Sequence, residues 1–208
     1  MKNNFGFIAS IIDGTEYKFQ TREMKLPDKY SYLKYLPNVL NQGQRPICVP
    51  CSISTFLNWN KNLNTGKNHT DIKVDYEEIF KNRTNESDDG MAFKDAFHYL
   101  RHHGVKTDTG IAKIDRYFKI GSVVQLKQAL IVNGPCVGGL PVYDTNRDDF
   151  WTKYKGDEYV GGHAISIIGY NEKGFIIRNS WGERYGDKGY AILPYDDFAN
   201  FREIWSIV

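Results

Sequence analysis

The sequence predicts an α+β protein in which a mainly helical lobe is followed by a mainly β lobe. Apolar residues recur with a helical period in the first half of the chain, whereas strand-like runs dominate the second half. Helices that precede strands in this way are typical of α+β proteins. The 208 residues suffice for a sizeable core, and the 14 tyrosines, 12 phenylalanines and 4 tryptophans favour a packed globular chain.

The first predicted helix follows the polar loop 41–47 and begins near Cys48. Its apolar residues follow helical spacing: Ile53, Phe56 and Leu57. Pro50 fits inside the first turn, where its missing N–H costs nothing. The stretch 60–70 is rich in Asn, Lys and Gly, which is typical of a surface loop. We therefore expect the helix to end before residue 60.

Two more helices are predicted before residue 105. A short one covers residues 75–81. The next is an amphipathic helix that ends at Gly104, because four apolar residues recur at i, i+3, i+4 and i+7: Phe93, Ala96, Phe97 and Leu100. An aspartate of the acidic loop 86–90 is the expected N-cap of this helix.

A fourth helix is predicted over residues 123–132. Ser122 and Gln125 match a capping box, and Asn133-Gly134-Pro135 supplies the stop. Beyond this helix the apolar period becomes strand-like. The sequence therefore predicts four strands in the second half: 136–143, 163–170, 174–179 and 189–193.

Composition and charge exclude several classes of function. A formal charge of +2 without a basic block does not imply nucleic acid, and no apolar span approaches the length of a membrane helix. The run 5–12 is apolar but short and lacks a clear cleavage site, so we expect it to belong to the folded domain. Three cysteines are too few for a disulfide framework and favour a reducing compartment. We expect a cytoplasmic monomer that binds no membrane.

Cys48 stands at a position that favours a reactive sulfur. A helix N-terminus carries partial positive charge and unpaired N–H groups, so it stabilises a thiolate and can hold an oxyanion. The partners of a thiolate nucleophile occur far downstream, in Gly162-His163-Ala164 and Asn179-Ser180-Trp181-Gly182. An imidazole exchanges a proton with the sulfur, and a carboxamide orients the imidazole. These residues predict nucleophilic catalysis by cysteine.

Together with Gln42, which lies six positions before Cys48, these blocks make the chain resemble the papain-like cysteine peptidases in their compact microbial and viral form. The interval of 16 residues between His163 and Asn179 also fits that family. The resemblance covers roughly residues 26–208. It implies a two-lobed fold whose second lobe is antiparallel and β-barrel-like, with the active-site cleft between the lobes.

The resemblance also implies how the chain is organised. All 208 residues are expected to form one catalytic unit. Its mainly helical lobe covers 27–115, and its mainly β lobe covers 116–208, with 1–26 packed on it. No inhibitory pro-domain of the usual length precedes this unit in the sequence. The resemblance therefore implies that the protein is made active, or that its control lies elsewhere.

The family pattern assigns roles to five residues. Cys48 and His163 would form a thiolate–imidazolium pair that cleaves peptide bonds through an acyl-thioester, and no cofactor is needed. The side-chain oxygen of Asn179 would fix the imidazole, and Trp181 would shield that bond from water. The side-chain N–H of Gln42 and the backbone N–H of Cys48 would hold the oxyanion.

Further residues are predicted to contact a peptide or protein substrate. By resemblance, Gly90 offers main-chain hydrogen bonds and Met91 lines the pocket for the side chain two positions before the cleaved bond. Gly162 and Trp181 complete this predicted substrate site. Asp89 replaces a glycine that is usual in the family, so the substrate preference stays open. A simple turn that leads into the next helix explains Gly90 and Met91 equally well.

Several alternatives remain open. Cys51 could be the nucleophile, since Cys48-Val49-Pro50-Cys51 also matches a Cys-x-x-Cys pattern, although the spacing from Gln42 favours Cys48. The same pattern would suit a thiol–disulfide oxidoreductase. An acyl transferase or an inactive binding module would share the fold. Taken singly, His163 could be a buried structural histidine, Asn179 a turn residue and Trp181 part of the core.

Two other groups of residues receive a structural interpretation. Three histidines cluster near a predicted helix end, where they suit the negative end of the helix dipole: His98, His102 and His103. A metal site there is the less favoured alternative. Cys136 lies in an apolar strand and is expected to be an inert core residue.

Overall fold

The structure is a computed structural model that describes residues 5–67, 69–85, 90–145 and 147–208. The described residues form four α-helices: α1 (Cys48–Thr65), α2 (Tyr76–Lys81), α3 (Phe93–His102) and α4 (Val123–Val132). They also form nine strands: β1 (Tyr30–Ser31), β2 (Val105–Thr107), β3 (Gly110–Ala112), β4 (Tyr117–Lys119), β5 (Cys136–Tyr143), β6 (Tyr159–Tyr170), β7 (Gly174–Arg178), β8 (Tyr190–Pro194) and β9 (Glu203–Ile207). Helices thus precede most of the strands, as an α+β protein requires.

Helix α1 is longer than the sequence predicts. It continues through the polar stretch to Thr65 and ends at Gly66, whose φ of 66° is left-handed. The buried side chain of Asn62 explains the extension, because its Nδ2 donates to the carbonyl oxygens of Tyr35 at 2.9 Å and Thr70 at 3.0 Å. Tertiary hydrogen bonds therefore hold the last turns of a helix that local composition would end earlier.

The helix starts differ in how they are capped. Asp75 caps α2 by accepting the N–H of Glu78 at 2.9 Å, and Ser122 caps α4 by accepting the N–H of Gln125 at 3.2 Å. The aspartate cap predicted for α3 is wrong, because its N-cap is Ala92, which offers no side-chain oxygen. The acidic loop 86–89 that carries this prediction lies outside the described residues.

The main sheet is antiparallel and open. Its strand order is β4-β9-β5-β6-β7-β8, and β1 adds to β6. Within the described part of the chain β4 and β8 are the two edges, so the barrel-like closure that the family resemblance implies is wrong. The broad two-lobed α+β class fits. Strand β9 was not predicted because all five of its residues are buried, which removes the alternation that marks a half-exposed strand.

Helix α1 packs across β6 and thereby fixes the site between helices and sheet. Ser166 of β6 donates its hydroxyl to the carbonyl oxygen of Ser52 at 2.9 Å and contacts the hydroxyl of Thr55 at 2.8 Å. One apolar cluster fills the space around α1 and α3, and a second lies between α4 and the other face of the sheet. In the described residues, no helix combines the length and the apolarity that crossing a bilayer would require.

Candidate active site

Cys48 is the first residue of α1, and the loop before it is fixed to the far side of the cleft. The backbone N–H of Gln42 donates to the carbonyl oxygen of Ser180 at 2.8 Å. Within the loop, the side-chain oxygen of Asn41 accepts the N–H of Gly43, whose φ of 63° favours glycine. The helix start that carries the sulfur is therefore held next to the segment that follows β7.

His163 and Asn179 meet across the neighbouring strands β6 and β7. His163 Nε2 lies 2.7 Å from Oδ1 of Asn179, and the same oxygen accepts the backbone N–H of Ser180 at 2.7 Å. Because Oδ1 is an acceptor in both contacts, Nε2 carries the proton and Nδ1 holds the free lone pair. Nδ1 is buried without a hydrogen-bond partner among the described residues. This nitrogen is the one available as a base.

An aromatic wall covers the histidine. The ring of Trp181 lies 4.4 Å from that of His163, and the ring of Phe150 lies 5.6 Å from it. Tyr185 packs against Trp181 at 5.4 Å. These rings keep water from the bond between His163 and Asn179. The sequence did not predict Phe150 and Tyr185 as parts of this wall, and Phe150 lies in no motif that indicates such a role.

Gln42, the predicted oxyanion donor, is buried. One of its side-chain N–H groups donates to the carbonyl oxygen of Arg45 at 2.9 Å, and its Oε1 accepts the hydroxyl of Ser180. A carboxamide has two N–H groups, so the second stays available. The two bonds hold the side chain rigidly in this position.

The N-terminal segment, residues 5–8, occupies the groove between these elements. Phe7 N donates to the carbonyl oxygen of Gly162 at 3.0 Å, and Ile8 N donates to that of Met91 at 3.1 Å. In return, Met91 N donates to the carbonyl oxygen of Gly6 at 2.8 Å. Sequence analysis predicted that this run belongs to the folded domain but not that it crosses the cleft.

Close contacts show how tightly the N-terminal segment fits. A Cβ at Gly6 would lie 2.0 Å from the carbonyl oxygen of Pro46, just before the helix start. A Cβ at Gly139 would lie 2.0 Å from the ring of Phe7, so a glycine there opens the hollow that the ring fills. Phe93 packs on the same ring at 5.5 Å. The segment covers Cys48, which has no exposed surface.

All four residues that were predicted to bind substrate contact the N-terminal segment. Met91 and Gly162 form the main-chain hydrogen bonds described above. A Cβ at Gly90 would lie 2.6 Å from the carbonyl oxygen of Gly6, and the ring of Trp181 lies 6.1 Å from that of Phe5. The structure thus brings these residues together around one extended peptide. Asp89, on which the substrate preference was left open, lies outside the described residues.

Burial favours the neutral forms of the sulfur and of the imidazole in this closed arrangement. Burial raises the pKa of Cys48 to about 11, although the backbone N–H groups of Ala164 and Gly6 that point at the sulfur oppose the shift. Burial also lowers the pKa of His163 to about 4, although the hydrogen bond that its ring N–H donates to Asn179 opposes the shift. The thiolate–imidazolium pair therefore stays a prediction, because burial under the N-terminal segment favours the uncharged form of each group.

The remaining candidates are two further cysteines and the histidines of α3. Cys51 is buried one turn further along α1, and Cys136 in β5 contacts the carbonyl oxygen of Gly134 at 3.7 Å. The rings of His98 and His102 lie 4.5 Å apart on α3. Among the described residues no group of three or more His, Cys, Asp or Glu side chains is placed to hold a metal ion.

Comparison with known proteins identifies the family of this chain. The sequence family described as "Papain family cysteine protease" matches residues 48–200. A probable cysteine proteinase, 224L of Invertebrate iridescent virus 6, is 30% identical over 128 residues, which are 43% of this chain and 28% of that protein. Cathepsin 7 of Mus musculus is 25% identical over 215 residues, 84% of this chain and 63% of that protein. The chain therefore spans less than two thirds of the length of these curated relatives.

Solved structures share the fold. Xylellain, a cysteine protease from Xylella fastidiosa, superimposes with a TM-score of 0.86 at 22% identity, over 99% of this chain and 96% of that one. The procathepsin B S9 of Trypanosoma congolense superimposes with a TM-score of 0.78 at 13% identity, over 99% of this chain and 86% of that one. At such identities the likeness concerns the fold.

Proposed function

Because the chain belongs to the papain family of cysteine proteases, we propose that it is a peptidase that cleaves peptide bonds through Cys48. The observation that carries the proposal is the N-terminal segment in the groove. Its extended main chain hydrogen-bonds to Met91 on one wall and to Gly162 on the other, beside Cys48. A groove that holds one stretch of extended main chain can hold another, so a peptide or protein is the fitting substrate.

The proposed reaction begins when Nδ1 of His163 takes the proton of Cys48. The thiolate then attacks the substrate carbonyl, and the charge on its oxygen is held by the backbone N–H of Cys48 and the second side-chain N–H of Gln42. The imidazolium protonates the leaving amine, which leaves an acyl-thioester on the sulfur. Water, deprotonated by the same imidazole, releases the acid. Asn179 keeps Nδ1 turned toward the reaction throughout.

The proposal includes an opening step, because substrate and the N-terminal segment need the same space. Gly6 lies against the sulfur, and burial favours the neutral forms of Cys48 and His163 in this arrangement. Departure of the segment admits water, which stabilises charged forms and favours the thiolate–imidazolium pair. We therefore expect the full chain to be latent until residues 5–8 leave the groove.

The hollow that holds Phe7 supports a preference for apolar side chains. It is bounded by Met91, Phe93 and Gly139, none of which brings a charge. When the N-terminal segment leaves, a substrate side chain of similar size takes the place of the ring. Peptides with an aromatic or large aliphatic residue at that subsite should be cleaved best.

A peptide probe with an electrophilic epoxide or vinyl sulfone tests the assignment. The full chain carrying Phe7→Ala is incubated with the probe, because loss of the ring loosens the N-terminal segment, and the alkylated residue is mapped by mass spectrometry. We expect labelling at Cys48, none in the protein that also carries Cys48→Ala, and unchanged labelling with Cys51→Ala. Labelling at Cys51, or peptide cleavage by the Cys48→Ala protein, would overturn the proposal.

A further inference from the structure

The first turn of α1 contains a second cysteine that the proposed reaction does not use. Cys48 and Cys51 are the first and fourth residues of the helix, with Pro50 between them. Helix geometry places the Cα atoms of such a pair about 5 Å apart. That separation falls inside the range of roughly 4.4–6.8 Å that a disulfide spans. Both cysteines are free thiols in this structure.

The two side chains also share a neighbour on the opposite strand. The backbone N–H of Ala164 points at the sulfur of Cys48. Cys51 lines a small cavity together with Ala164, Asn179 and Ser180. Both cysteines therefore lie against β6 at the same residue.

Resting on the proposed function, we propose that Cys51 is a resolving cysteine, which captures oxidised Cys48 as a disulfide and so switches the peptidase off reversibly. The oxidant is a hydroperoxide, and the reductant that reverses the switch is a dithiol. Cys136 takes no part, because it lies in β5, where it contacts the carbonyl oxygen of Gly134. In this proposal the two cysteines regulate the activity of their own chain and do not reduce or oxidise the disulfides of other proteins.

The chemistry proceeds in two balanced steps. The thiolate of Cys48 attacks the peroxide, so that an S–O bond forms, the O–O bond breaks, and an alcohol or water leaves. The sulfur of Cys51 then attacks the sulfenic sulfur of Cys48. An S–S bond forms, the S–O bond breaks, and the hydroxide leaves as water with the proton of the Cys51 thiol. Two electrons from a dithiol later restore both thiols.

Burial suits Cys51 to this role. Burial raises its pKa, with the neighbouring Cys48 adding to the shift, which favours the thiol form of Cys51. A thiol is a weaker nucleophile than a thiolate, so Cys51 competes little with an ionised Cys48 for peroxide or substrate. Without a nearby thiol, a sulfenic acid proceeds to the sulfinic and sulfonic acids, which dithiols do not reverse.

The test compares proteins that differ only in their buried cysteines. Three full-length proteins are treated with hydrogen peroxide, and all of them carry Phe7→Ala, which opens the groove. The first has no other substitution, the second also carries Cys51→Ala, and the third also carries Cys136→Ala. The Cys51→Ser variant is run alongside, since it keeps the size of the side chain if alanine disturbs folding. Intact mass and peptide mapping report the sulfur chemistry, and peptide cleavage before and after dithiothreitol reports the switch.

We expect the protein with all three cysteines, and the Cys136→Ala variant, to lose the mass of two hydrogen atoms. Mapping should join Cys48 to Cys51, and dithiothreitol should restore most cleavage. The Cys51 variants should gain oxygen atoms on Cys48 and recover at least severalfold less activity. Equal recovery in all variants, or a disulfide that involves Cys136, would overturn the proposal. If the Cys48–Cys51 disulfide forms but the reduced protein cleaves no peptide, the peptidase assignment fails and the sulfur chemistry stands.

Discussion

The main chain at Gly6 passes so close to the carbonyl oxygen of Pro46 that a Cβ at position 6 would lie 2.0 Å from that oxygen. The contact joins the N-terminal segment to the loop that delivers Cys48. Only a residue without a side chain fits there, and the backbone of Pro46 cannot move without shifting the helix start. The closed state therefore depends on glycine at this position.

The Gly6→Ala variant should raise the peptidase activity of the full chain. Overpacking costs about 1–3 kcal/mol, which corresponds to roughly 5- to 150-fold in the population of the open state. Initial rates on an apolar peptide substrate measure the effect. Ile11→Ala, at an exposed position in the same run, is the matched control and should leave the rate unchanged. Equal rates for both variants would show that the N-terminal segment does not limit access.

Asn179→Ala should slow cleavage in the opened Gly6→Ala protein. The amide oxygen 2.7 Å from Nε2 selects the imidazole tautomer whose Nδ1 is free, and a single hydrogen bond of this kind contributes about 0.5–1.5 kcal/mol. We expect kcat to fall about tenfold with a smaller change in KM. Asn133→Ala removes a side-chain hydrogen bond to Ser206 instead and serves as the control. A loss of equal size in the control would indicate a general effect on folding.

The stability of the closed protein should fall in mild acid because of His163. Folding lowers its pKa from 6.5 to about 4, so the unfolded chain binds more protons than the folded chain between those values. The free energy of unfolding therefore decreases as the pH drops through that window. Between pH 7.5 and pH 5 the free energy of unfolding of the wild type should decrease by about 2 kcal/mol more than that of the His163→Gln variant.

Urea unfolding of both proteins at the two pH values measures this difference. The comparison removes the contribution of every other titrating group, because the two proteins share them. Parallel losses in both would mean that the imidazole is solvated when the protein is folded, which contradicts the burial of the site.

Asn62→Ala should destabilise the fold without touching the groove. Its side chain donates to the carbonyl oxygens of Tyr35 and Thr70, and leaving those acceptors unpaired costs about 1–3 kcal/mol. The exposed Asn64, two residues further along α1, is the matched control, and its replacement by alanine should change stability by less than about 0.5 kcal/mol. The denaturant midpoints of the Asn62→Ala and Asn64→Ala proteins measure the difference. Similar midpoints would contradict the claim that Asn62 holds the last turns of α1.

Local patterns predicted most of the regular elements. The capping box at Ser122 gave the bounds of α4, and the apolar run 136–143 coincides with β5. Where tertiary contacts override local composition, the prediction failed, as in the last turns of α1, which Asn62 holds. Strand β9 was not predicted, because its burial on both faces removes the alternation of apolar and polar residues that marks a strand.

The site was only partly accessible to sequence reasoning. Motif order indicated that His163 and Asn179 belong together, and neighbouring strands do bring them to hydrogen-bonding distance. The position of the N-terminal segment could not be predicted, since its hydrogen bonds join residues 6–8 to residues more than 80 positions away, at Met91 and Gly162. No local pattern encodes such pairing. The same holds for Phe150, which meets His163 only through folding.

The attachment of the N-terminal segment to the chain it closes has a quantitative consequence. A tethered peptide competes at an effective concentration that reaches the millimolar range for short connections, whatever the concentration of the protein. Four residues with weak affinity of their own can therefore keep the groove filled. Once a cut severs the connection, dilution alone would carry the freed peptide away, so a single cleavage between it and the rest of the chain would act as a one-way trigger.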